Sequence, residues 1–104
     1  MTYNDALKAV KGKNCAAFAI KNDEKEIFVI EYNSDPGMYS DTIIWYSKFL
    51  DNDEVEEDNM PPSDFEKEFP ESANLEFTLM KKEGIDALNS GYEEAKKILR
   101  DNIL

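Results

Sequence analysis

Residues 15–32 read CAAFAIKNDEKEIFVIEY. Cys15, Ala17 and Ala19 alternate with Ala16, Phe18 and Ile20, so one side of the first run is bulky, the other is small, and both are apolar. An extended segment of that kind is expected to be buried on both faces. Residues 22–25 are polar and turn-like, and residues 26–32 are rich in Ile, Phe and Val, the composition of a strand. The stretch therefore predicts a β-hairpin over 15–32, around which the rest of the chain is arranged.

Before the hairpin, Thr2 with Asp5 three residues on resembles a capping box, and Ala6, Leu7 and Val10 form an apolar stripe ended by Gly12; the pattern predicts a short helix. After it, residues 33–37, Asn-Ser-Asp-Pro-Gly, form a dense turn signal. Two signals then compete. Tyr39, Ile43, Tyr46 and Leu50 repeat at four, three and four, a helical spacing, whereas 42–46 is β-branched and aromatic throughout, a strand composition. Alternation breaks at residues 47–50, which favours the helix, with Ser40 or Asp41 to cap it.

Residues 51–62 read as an acidic, solvated loop: six acids surround Val55, and Pro61-Pro62 closes the segment. Ser63 and Glu66 have capping-box spacing, predicting a short helix pinned by Phe65 and Phe69 and stopped by Pro70. Leu75, Phe77 and Leu79 alternate with Glu76, Thr78 and Met80, predicting a strand over 75–82 that Gly84 breaks. Ile85, Leu88, Tyr92, Ala95 and Leu99 then repeat at three and four, an amphipathic helix with a kink or restart at Gly91. No internal repeat is present. The expected fold is α+β in one compact domain over 1–104: a small antiparallel sheet, made of the 15–32 hairpin and the 75–82 strand, with helices on one face in two layers.

The chain has 104 residues, of which 41% are hydrophobic and 34% charged, an ordinary globular composition. At this length roughly two-thirds of the unfolded surface can be buried, enough for a fold without disulfides or a structural metal. Cys15 is the only cysteine, which excludes an intrachain disulfide and fits a reducing compartment. The chain lacks histidine, and with it the commonest general base, the Ser-His and Cys-His pairs and the usual imidazole metal ligand. No 18-residue apolar stretch and no signal peptide is found, so a cytoplasmic location is expected.

The net charge of −11 is unevenly spread: residues 1–30 carry +1, residues 77–104 carry zero, and residues 31–76 hold 14 acids against Lys48 and Lys67. Such a cluster repels itself, nucleic acid and anionic membrane, and calls for a basic partner. Lysine outnumbers arginine 11 to 1, and Asn and Ile are frequent, as in the A/T-rich genomes of bacteria, phages and mobile elements.

No catalytic motif emerges. Asp51 and Asp53 open with EF-hand spacing, but Val55, Glu56 and Pro62 occupy positions where that loop requires a ligand, a glycine and a bidentate Glu. The four glycines are scattered at element ends, so no phosphate-cradling loop exists. Cys15 opens an apolar strand with Lys13 as its nearest cation, which suits a buried structural thiol. Glu31 and Glu76 read as solvent-facing strand positions. No cofactor and no metal site is expected.

Aromatic and acidic residues are interleaved through the middle segment. Trp and Tyr anchor protein contacts while carboxylates meet Arg and Lys, so Asp51, Asp53, Glu54, Glu56, Glu57 and Asp58, with Trp45 and Tyr39, are the candidate partner-binding residues; Phe49, Phe65 and Phe69 read as core. The expected function is that of a non-catalytic acidic protein docking on a basic surface. A DNA mimic that inhibits an enzyme by filling its nucleic-acid-binding cleft would act this way, and in size and charge, though through no motif, the chain resembles small acidic phage inhibitors of host nucleases and defence systems. An immunity or antitoxin protein is a variant of that reading. The alternatives are a regulatory α+β module with solubilising charge and an apolar oligomerisation face, and a divalent-metal hydrolase.

Overall fold

A computed structural model describes residues 1–33, 40–52 and 54–104. Helix α1 spans Tyr3–Val10, and the Thr2 hydroxyl accepts from the Asp5 amide at 3.1 Å, as the capping pattern predicts. Strands β1 (Cys15–Lys21) and β2 (Glu26–Tyr32) form the hairpin, joined by a 3-10 turn at Asn22–Glu24 with Lys25 in the left-handed region at φ 53°. Then follow β3 (Thr42–Phe49), β4 (Val55–Met60), α2 (Pro62–Glu68), β5 (Thr78–Lys81), a 3-10 helix over Lys82–Asn89, and α3 (Tyr92–Asp101). The expected break at Gly91 is the junction between the last two helices. The first turn of α2 begins at Pro62 and has no side-chain cap, so Ser63 does not act as expected there.

The class is the expected α+β: five antiparallel strands in the order β4-β3-β2-β1-β5, accompanied by helices. Three sequence expectations change. The 42–49 segment is a strand, because its β-branched and aromatic residues register along the whole of β2, from Glu26 opposite Lys48 to Tyr32 opposite Thr42. Half of the expected acidic loop is also a strand, since Val55–Met60 pairs with β3 and takes its conformation from that ladder. The helices cover both faces of the sheet, giving three layers instead of two.

The third change follows from the alternation already present in the hairpin. Cys15, Ala17, Ala19, Phe28, Ile30 and Ile44 pack with Tyr3, Ala6 and Val10 of α1 and Phe65 of α2. Ala16, Phe18, Ile27, Val29 and Phe49 face the other way, under Ala87, Leu88, Ala95 and Leu99. Leaving either set in water would expose several large apolar side chains, each worth about 1.5–3 kcal/mol when buried. The alanines of β1 allow α1 to approach, and Phe28 meets Phe65, Phe69 and Tyr46 with ring centroids 5.3–5.4 Å apart. Cys15 is buried, its thiol 3.8 Å from the Ala9 carbonyl. Gly84 packs closely on Met80: a Cβ there would meet the Met80 sulfur, and the buried methionine side chain would have to shift. Among the described residues no helix is long and apolar enough to cross a membrane.

Candidate functional site

The two sheet edges differ. Residues of the C-terminal segment lie along β5: Ile103 bridges to Met80, the Lys81 amide donates to the Asn102 carbonyl at 2.8 Å, and the Leu104 amide donates to the Leu79 carbonyl at 3.2 Å. Strand β4 has β3 on one side and, among the described residues, no strand on the other. An open edge is a template for unwanted pairing, and charged side chains are a common protection. Here Glu56, Glu57, Asp58 and Asn59 are all exposed.

Alternation sends these side chains to opposite faces. Glu56 and Asp58 register with Lys48 and Tyr46 on the α1–α2 face, whereas Glu57 registers with Ser47 on the α3 face, alongside Trp45 and Phe49. Asp51 and Glu54 belong to the preceding turn, where the Leu50 amide donates to the Glu54 carbonyl at 2.8 Å and the Glu54 amide to Asn52 Oδ1 at 3.2 Å. Tyr39 and Asp53 lie outside the described residues. Of the expected site residues, the structure thus brings Trp45 and Glu57 to one face and places Glu56 on the other, while Asp58, although its register is that of Glu56, still takes part in lining the groove that holds Trp45 and Glu57.

On the α3 face two grooves adjoin at Asn89. The first, about 380 Å³, has Trp45 and Ser47 from β3, Glu57 and Asn59 from β4, and Ile85, Asp86 and Leu88 from the 3-10 helix in its lining. The second, about 660 Å³, runs between Asp51 and Glu54 on one side and the start of α3 on the other, past Phe49 and Tyr92, whose rings are 5.4 Å apart. The residues lining the two carry seven carboxylates and one lysine, Lys25, which is 3.4 Å from Asp51. None of the ion pairs among the described residues engages Glu54, Glu56, Glu57, Asp58 or Asp86.

Trp45 is held in place: its indole Nε1–H donates to Glu31 Oε1 at 3.0 Å, and Glu31 lies 3.8 Å from Lys82. Glu31 is therefore a partly buried positioning group, not the solvent-facing residue expected, while Glu76 is exposed and pairs with the α-amino group of Met1. On the opposite face the Tyr46 hydroxyl donates to Glu26, which is buried at 4% exposure. Burial first, and then that hydrogen bond to Glu26, push the Tyr46 phenol well above its ordinary pKa of 10. Tyr3 is raised in the same way by burial and by its hydrogen bond to Glu66. Tyr92, at the groove mouth, is raised by burial and then by Glu93.

The grooves can attract cations and present aromatic surface to them. Among the described residues no three His, Cys, Asp or Glu side chains gather into a group that could hold a metal ion. Asp86, Tyr92, Glu93 and Glu94 escape sequence reasoning because residues 77–104 are neutral in sum, and only the crossing of the last two helices over the sheet brings these residues beside β4. Compared with known protein families, with curated proteins and with solved structures, the chain matches none.

Proposed function

We propose that this is a non-catalytic binding protein that docks its acidic β4 edge, and the groove beside it, on a basic surface of a partner protein. The partner class we favour is a nucleic-acid-binding enzyme whose cleft is filled by carboxylates standing where phosphates would, so that the protein acts as a DNA-mimicking inhibitor of the kind found in phages and mobile elements. The observation that carries this reading is the run Glu54, Glu56, Glu57 and Asp58 on and next to the open edge strand, unpaired with any described cation although Lys48 sits one strand away. Concentrated like charge destabilises the compact state and is relieved when a basic surface covers it.

A second reading has its own support, because charge on an open edge also prevents edge-to-edge aggregation. Replacing the four residues together, as Glu54→Gln, Glu56→Gln, Glu57→Gln and Asp58→Asn, separates the two. The tagged protein is used to capture partners from bacterial lysate and eluted with duplex DNA or, separately, with high salt. Docking predicts that DNA releases a nucleic-acid-binding protein, and that the variant keeps equal or higher thermal stability yet captures nothing. Capture unchanged in the variant, or no release by DNA, would overturn it and leave edge protection as the role of the charge.

A further inference from the structure

We infer that the groove floored by Trp45 and Ser47 is a guanidinium pocket, which receives an arginine side chain from an extended basic segment of the partner. The inference rests on the docking reading and names its anchor. Four features converge. The indole of Trp45 lines the groove with its orientation set by the hydrogen bond to Glu31, and a fixed indole face attracts a cation.

Glu57 on β4 and Asp86 on the 3-10 helix supply carboxylates from two different elements lining the same cavity, and neither has an ion-pair partner among the described residues. Ser47 adds an acceptor. It is 2% exposed, and among the described residues its hydroxyl makes no hydrogen bond and no fully enclosed side-chain polar atom lacks a partner; the hydroxyl therefore meets the groove that Ser47 lines. Leu88 gives the aliphatic stem an apolar wall.

A planar fork of five donors that also stacks on aromatic rings matches this set, whereas an ammonium is a compact point charge with no planar face to stack. The volume of about 380 Å³ is ample for an arginine side chain, and the adjoining groove of about 660 Å³, with Glu54, Glu93 and Glu94 in its lining, offers a path for further cations of the same segment. The occupant is thus a peptide with arginine at its anchor position, and the charge of the lining is complementary to it.

Trp45 is the only tryptophan, so its emission reports directly on occupancy. The protein is titrated at low salt with two hexapeptides of equal charge, one alternating Arg with Gly and the other Lys with Gly. The arginine peptide is expected to change Trp45 emission and to bind about tenfold more tightly, the scale of one stacked, bidentate guanidinium contact. Asp86→Asn and Ser47→Ala should each shrink that preference, with unchanged melting temperature for Asp86→Asn, whereas Glu68→Gln, exposed on α2 across the sheet, should leave it intact.

Equal affinity for the two peptides, or a preference indifferent to both groove substitutions, overturns the pocket. The docking reading would still stand if the lysate partner continued to be released by DNA. Absence of any peptide binding together with absence of any captured partner overturns both.

Discussion

Strand β5 is sheathed by residues 102–104 of its own chain and contributes Met80, fully buried, to the core, while β4 at the far side of the same sheet exposes four of its six residues and, among the described residues, has no strand along its outer side. The first edge is closed by hydrogen bonds and packing. The second carries, among the described residues, exposed charge instead of a covering segment, an arrangement that in general disfavours pairing of identical edges and favours a surface of opposite sign. One edge is therefore expected to matter for stability and the other for recognition.

The sharpest way to break this contrast is at the covered edge. Met80→Ala removes a side chain packed between β5 and the helices and should cost about 2–5 kcal/mol in urea unfolding, as buried Met-to-Ala changes do. A cost below about 1 kcal/mol would mean that β5 is no more anchored than β4.

An intermediate effect is expected from pH, next to the open edge. Tyr46 and Tyr3 have folded-state pKa values above 10, so between neutrality and pH 10 both states hold the proton; above it the unfolded chain releases protons that the fold retains, and stability falls as pH rises. Melting temperature should decline from about pH 10 upward. Tyr46→Phe, which removes the titrating hydroxyl, should soften that decline if Tyr46 is the group responsible.

The smallest effect on stability belongs to β4 itself. Glu56→Thr with Asp58→Thr should change unfolding free energy by no more than about 0.5 kcal/mol per site. The same pair, however, should promote concentration-dependent self-association in sedimentation velocity, because it removes the charge that guards the edge. A monomer at all concentrations would show that charge is not what keeps this edge free.

Much of the sheet is legible in the order of residues. The hairpin emerges at its expected place because alternation and composition agree over 15–32, and the break at Gly91 is there as well, whereas the strand expected over 75–82 is shorter, Thr78–Lys81, because only those residues find partners on β1. Where local signals conflict, partners decide: a helical spacing runs through Thr42–Phe49 against a strand composition, and pairing with β2 on one side and β4 on the other selects the strand. Val55–Met60 has almost no apolar signal, since one face of an outer strand meets solvent and its hydrogen bonds come from β3 whatever the side chains are.

The candidate site divides along the same line. Its acidity and its aromatic neighbours are visible as composition, because charge adds up without regard to geometry. Which carboxylates share a face with Trp45 depends on register, and a shift of one residue would exchange Glu57 for Glu56 or Asp58. An α+β chain built on a doubly apolar hairpin, with its negative charge concentrated in the middle, follows from local pattern and composition, which need no knowledge of distant partners. Helices on both faces, an acidic segment drawn out as an open edge, and Asp86 beside it all arise from folding in three dimensions, because each depends on contacts between residues far apart in the chain.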